Sequence, residues 1–355
     1  MPEETIGTAD TAACECPPCK RRKGDPSHGV HSGTIHSYSS TPRNGWVPRR
    51  TAAELANGTT TAPTFGLELE TAVAERVRSR DLPGEPPVMY LPWDADATAM
   101  AARDVALAAH AVWSARNQAH HYRERHRPED GGHLSADEAV TCAAPRGLWH
   151  PKHDGSVTGP EFASQPGTLA YWRSIRPHLA EMTRTLLHGG IRSHDGDTCG
   201  LHVNIGSDAF ADGAHLERFL ALVALNPRWS NRMAQRTAES AGRWCNMGDI
   251  GDASSRAMLA SEWGRYGRAG TSHSSAVNLS HSGRVEFRLP RGTLRLDRLY
   301  AKLEWTAAMV EYTRDAGRPA QPSAFMHWAA ETGDYPALVA YMRERFPARM
   351  AAVAS

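Results

Sequence analysis

The stretch TAPTFGLELETAV (61–73) alternates Leu67 and Leu69 with Glu68 and Glu70. On a strand, residues two apart project from one face, roughly 7 Å from each other. This spacing stands two carboxylates side by side with no lysine or arginine between them. Such a pair repels itself unless a cation intervenes, so the chemistry it suggests is divalent-cation binding. The same alternation recurs downstream. CGLHVNIG sets Leu201, Val203 and Ile205 against His202 and Asn204; GRVEFRLPRGT sets Val285, Phe287 and Leu289 against Arg284, Glu286 and Arg288; GPEFAS sets Glu161 against Phe162. A half-exposed antiparallel sheet also alternates polar residues toward water, and for any single glutamate that is the simpler account. The set argues otherwise. Glutamate is disfavoured in strands, where threonine is the usual solvent-facing choice. Oxygen ligands joined by one imidazole suit Mg2+ or Mn2+.

The elements that must position these residues follow from periodicity. Strands are expected at 64–72, in part of 153–165, and at 199–206, 274–281 and 283–290. Helical spacing marks 96–122, 168–189, 213–225 and 295–315, with shorter helices at 322–332 and 335–346. Strands that do not alternate regularly with helices point to an α+β fold with a largely antiparallel sheet. Its apolar face is for helices to cover and its other face carries the polar groups. Residues 1–60 are rich in Pro, Gly, Ser, Thr and charge, and read as a mostly disordered or extended segment; 61–355 reads as one catalytic domain. Cys14, Cys16 and Cys19, followed by His28, His31 and His36, offer a zinc site, although C-x-C-x2-C is not finger spacing. A flexible cysteine-bearing tail is the plainer alternative.

In order along the chain, FGLELE, KHDGSVTGPEFAS, CGLHVNIG, SAVNLS and RVEFRLPRGTL resemble the motifs of the amidoligase family. These are carboxylate–amine ligases related to glutamine synthetase and glutamate–cysteine ligase. The upstream IHSYSSTPR is similar to a His-Ser-Tyr segment that often precedes the first strand there, so the resemblance covers roughly 34–295. It implies an antiparallel sheet whose concave face holds ATP and Mg2+ or Mn2+, with helices on the other face. A substrate carboxylate would attack the γ-phosphate, and an amine would then displace phosphate from the acyl phosphate to form an amide. On the matching positions, Glu68, Glu70, Glu161, His202 and Glu286 would be metal ligands and Arg288 the phosphate-contacting arginine. Lys152 and Asp154, in the Lys-x-Asp-Gly-Ser turn, would contact substrate or nucleotide or simply shape the turn. Asn278 would line the site from a neighbouring strand, and Arg291 would assist with phosphate or lie on the surface. Asn204 stands where the family often has a second histidine, and Ser275 where it often has an aromatic residue; both bear on substrate specificity.

Two other classes compete. A metal-dependent amide hydrolase would use the same carboxylates and His202 to activate water, but has less need of Arg288. An inactive binding module would be expected to lack some of the carboxylates. Composition narrows the partners. The chain has 355 residues, 41% hydrophobic, with 40 basic and 39 acidic side chains, so no charge imbalance favours nucleic acid. The KRRK run at 20–23 is too short to change that. No apolar run approaches the ~18 residues of a membrane span. The N-terminus has no apolar signal core, no P-loop motif is present, and six cysteines form no disulfide framework. The expectation is a cytoplasmic enzyme acting on a small-molecule or peptide carboxylate and an amine, with oligomeric state left open.

Overall fold

The computed structural model describes residues 48–59, 61–73, 149–152, 157, 161–188, 191–194 and 198–354. In chain order the elements are α1 (Ala52–Ala56), β1 (Thr64–Leu69), β2 (Ala72–Val73), β3 (Trp149–Lys152), β4 (Glu161–Ser164) and β5 (Gly167–Thr168). Then come α2 (Leu169–Ser174), α3 (Arg176–His188), β6 (Ile191–Arg192), β7 (Leu201–Gly206), α4 (Gly213–Ala224), α5 (Pro227–Ala234), α6 (Ala238–Trp244) and α7 (Ala253–Tyr266). The chain closes with β8 (Val277–Asn278), β9 (Arg284–Phe287), α8 (Leu296–Arg314), α9 (Pro322–Thr332), α10 (Pro336–Arg345) and α11 (Pro347–Ala354). This is the α+β class expected from the sequence. Among the described residues no helix is long and apolar enough to cross a membrane.

Two compact units divide the chain. One holds Pro48–Leu69, Pro166–Ser174 and Gly196–Ser355. Its sheet runs β1–β7–β9–β8, every neighbour antiparallel, with β5 paired to the start of β1. Alternation sends Phe65, Leu67, Leu69, Leu201, Val203, Ile205, Val285 and Phe287 to one face, where all are buried. Helices cover that face: the Phe287 ring meets Phe219 of α4 at 6.0 Å and Trp305 of α8 at 5.1 Å, both edge-on. The other unit contains β2 paired with β6, and the hairpin β3–β4, in which Lys152 lies opposite Glu161.

Helix ends are set by local chemistry. Asp212 and Asp252 cap α4 and α7 by accepting from His215 N and Ser255 N, and proline occupies the first turn of α5, α9 and α10. Helix α8 is buried almost all round, as a helix through a core must be. Its Glu304 accepts two hydrogen bonds from Arg173, and two more from the Ala337 and Leu338 amides that open α10. A carboxylate there answers both the orphan N–H groups and the positive end of that helix.

Several expectations need correction. The single helix at 168–189 is two, α2 and α3, because Pro177 has no N–H to continue the ladder and crowds the carbonyl four residues back. The strand at 274–281 shrinks to β8, since the hydroxyls of Thr271, Ser272 and Ser280 capture nearby polar groups and fold the flanks into turns. Residues 149–152 form an unforeseen strand, and α5, α6 and α7 were not anticipated. Within 1–60, Ala52–Ala56 is helical, started by a capping box between Thr51 and Glu54. The helix expected at 96–122, the Cys14–Cys16–Cys19 cluster with its histidines, and the His-Ser-Tyr segment lie outside the described residues.

Candidate metal centre

Three strands bring the centre together. In the β1–β7 register Glu68 lies opposite His202, and in the β7–β9 register Asn204 lies opposite Glu286. Side chains directly opposite in an antiparallel pair share a face, so Glu68, His202, Asn204 and Glu286 all stand away from the helical core. Three of them are not turned to water: Glu68 is 7% exposed, His202 4% and Glu286 2%. That burial removes the simpler account of solvent-facing alternation for these three.

One ligand atom from each of Glu68, His202 and Glu286 lies within 4.8 Å of the others. His202 Nδ1 is 3.5 Å from Glu68 Oε2 and 3.2 Å from Glu286 Oε1. Adjacent ligands of an octahedral Mg2+ at its usual bond length stand about 3.0 Å apart, so these spacings need little adjustment to close on a cation. Two carboxylates and an imidazole are a chemically suitable donor set. The residues fit the ion.

The surroundings supply donors and positive charge. Arg288 Nη1 lies 2.7 Å from Glu286 Oε1, and Arg284 Nη2 is 3.9 Å from Glu68 Oε1. Asn278 Nδ2 donates to Glu286 Oε2 at 2.8 Å, and His281 Nε2 stands 3.5 Å from that same oxygen. Burial pushes the Glu286 carboxyl upward. Hydrogen bonding to His202 and His281, together with the charges of His202 and Arg288, outweighs it and holds the group well below the usual carboxylate range.

The ladder beside the centre slips by one residue. From Val203↔Phe287 to Gly200↔Arg291 there are three steps along β7 but four along the facing chain. The extra residue makes a bulge beside Pro290, whose carbonyl accepts from Leu201 N at 3.0 Å. Because Gly200 shares a face with His202, the slip puts odd-numbered Arg291 on the face that carries even-numbered Glu286 and Arg288. The Arg291 carbonyl accepts from the buried ammonium of Lys302 on α8.

Of the residues expected to form a site, Glu68, His202, Glu286, Asn278 and Arg288 come together here. Glu70 falls just past the end of β1 and belongs to the other unit, where it is buried and its carbonyl accepts from Ser193 Oγ at 2.6 Å. Glu161, also in that unit, is buried at the start of β4; Lys152 ends β3. Asp154 lies outside the described residues. Asn204 stands on the face of His202 as the strand alternation predicts, but its bond to Glu68 at 3.0 Å, like the place of His281 at the centre, is not read from the sequence. His281 gives no periodic signal, because it sits in the turn between β8 and β9, where Gly283 adopts φ +81°. Comparison with models of protein families gave no match, and comparison with curated proteins gave none.

Proposed function

We propose that this chain is an ATP-dependent carboxylate–amine ligase of glutamine synthetase-like or glutamate–cysteine ligase-like architecture, using Mg2+ or Mn2+. The observation that most supports the reading is the convergence of Glu68, His202 and Glu286 with Arg288 beside them, on strands that carry the amidoligase-like motifs. The metal part of the proposal rests on those three ligands alone. A bound divalent cation would neutralise phosphate oxygens that the carboxylates would otherwise repel.

The protein's own groups do the rest. Glu286, whose carboxyl its neighbours hold below the usual carboxylate range, would be available as a ligand at neutral pH. Arg288 offers a planar guanidinium where negative charge must be held during phosphoryl transfer. Glu286 stands in β9 and Arg288 just past its end, two residues on. In the overall reaction the acid's carboxylate takes the γ-phosphoryl group and releases ADP. The amine then attacks the acyl carbon, phosphate leaves, and the amine's proton goes to solvent.

The test is ADP release by the purified full chain with Mg-ATP, over a panel of carboxylic acids paired with amines. Supporting the proposal would be ADP formation that needs both partners. Failure to bind ATP in the presence of Mg2+ or Mn2+ would overturn it. Cleavage of an amide without ATP would establish the metal-dependent hydrolase in its place.

A further inference from the structure

Each carboxylate of the centre commits one oxygen to an asparagine. Asn204 Nδ2 donates to Glu68 Oε1 at 3.0 Å, and Asn278 Nδ2 donates to Glu286 Oε2 at 2.8 Å. In both glutamates the other oxygen faces His202, Glu68 Oε2 at 3.5 Å and Glu286 Oε1 at 3.2 Å, the latter also accepting from Arg288 Nη1 at 2.7 Å. The arrangement repeats although the two asparagines come from different strands.

Asn278 is itself fixed. Its Oδ1 accepts from Ser280 N at 3.0 Å, Ser280 Oγ at 2.7 Å and Thr271 Oγ1 at 3.2 Å. The amide therefore has only its nitrogen to offer Glu286. On the other side, Asn204 competes with a cation for Glu68: Arg284 Nη2 stands 3.9 Å from the same oxygen the asparagine holds. A guanidinium binds a carboxylate more strongly than a neutral amide does. Without Asn204, Glu68 would have reason to turn toward Arg284 and away from His202. The terminal torsion of a glutamate is broad, so nothing intrinsic to the side chain prevents this.

We infer that Asn204 and Asn278 are positioning residues for the divalent cation, each holding one carboxylate so that its other oxygen converges on His202. The inference rests on the metal reading given above. Groups that orient metal ligands commonly account for ten- to a hundredfold in affinity.

The experiment is a Mn2+ titration of the full chain, followed by calorimetry and by the electron paramagnetic resonance of free and bound Mn2+. Wild type is expected to take up Mn2+ and Glu286→Gln to lose it. Asn204→Ala and Asn278→Ala should each bind about 10- to 100-fold more weakly, with an altered bound-ion spectrum and a metal-free chain that still melts cooperatively. Should the alanine variants not fold, Asn204→Leu keeps the volume, and Asn278→Asp keeps the acceptor for Ser280 and Thr271 while removing the donor to Glu286. Unchanged affinity and spectrum in the folded asparagine variants would overturn the positioning role while leaving the metal reading intact. A wild type without Mn2+ uptake, or a Glu286→Gln variant that binds like wild type, would overturn the metal reading and this inference with it.

Discussion

Arg288 is where the ligase and hydrolase readings separate most sharply. Its guanidinium touches Glu286 Oε1 and its side chain is only 12% exposed. Lysine preserves the charge but not the planar, two-pronged donor geometry. Removing one such contact from a water-poor site costs about 3–4 kcal/mol, roughly a hundred- to a thousandfold in rate. Arg288→Lys is therefore expected to bind Mg-ATP nearly as well as wild type while forming ADP at about a hundredth of the rate or less. Calorimetry and a coupled ADP assay on the same preparation check both halves. Turnover within threefold of wild type would mean that Arg288 serves the sheet and not the chemistry.

At the scale of elements, α4 carries a titration that acts on stability. His215 is fully buried; its Nδ1 accepts from Ala211 N at 3.1 Å and its Nε2 lies 2.8 Å from the Val310 carbonyl. Those partners fit the neutral ring with its proton on Nε2. Burial lowers the pKa and the nearby Arg314 and Arg218 lower it further, against the opposing effects of the Val310 carbonyl and Asp212. The unfolded chain thus binds the proton more readily. Stability from this ring is fully present above its ordinary value of about 6.5 and is lost as pH falls through the depressed one. His215→Ala should cost about 2–3 kcal/mol at pH 7.5, by the lost packing and the stranded backbone groups. The gap from wild type should narrow toward pH 5, read from urea midpoints; a gap independent of pH would refute the linkage. The elements themselves were unevenly legible. Strands β1, β7 and β9 announced themselves because the core lies on one side only, and α8 because its length and helix-forming residues leave little alternative. The run from 227 to 266 did not, because α5, α6 and α7 start at caps and prolines and show no long apolar stripe. The same limit applies to the centre. Alternation showed which side chains share a face, but only tertiary pairing reveals that Asn204 reaches Glu68 and that His281 reaches Glu286 across a turn.

For the molecule as a whole, the proposed ligands Glu68, His202 and Glu286 are brought together from distant points of the chain by sheet pairing alone. The unfolded chain has no such constellation, so a cation that binds it stabilises only the folded state. At a hundred times its dissociation constant, Mn2+ should add about 2.7 kcal/mol. A thermal melt should rise by several degrees with Mn2+, return on chelation, and be insensitive to Mn2+ in Glu286→Gln. An equal shift in that variant would assign the stabilisation to some other part of the protein.

The bulge beside Pro290 also decides which chain lengths the protein can tolerate. Elsewhere along β9 the reading frame of the strand is rigid: losing one residue would exchange its inner and outer side chains, turning Phe287 outward and Glu286 into the core. Between Phe287 and Arg291 the frame has slack. Dropping Pro290 would let Leu289 face Leu201 on the apolar side and Arg288 face His202 on the other, with Arg291 still opposite Gly200. A scan of single-residue deletions through 284–291 should therefore abolish Mn2+ uptake within β9 and spare it at Pro290. That position is where natural or engineered variation in length has room to accumulate.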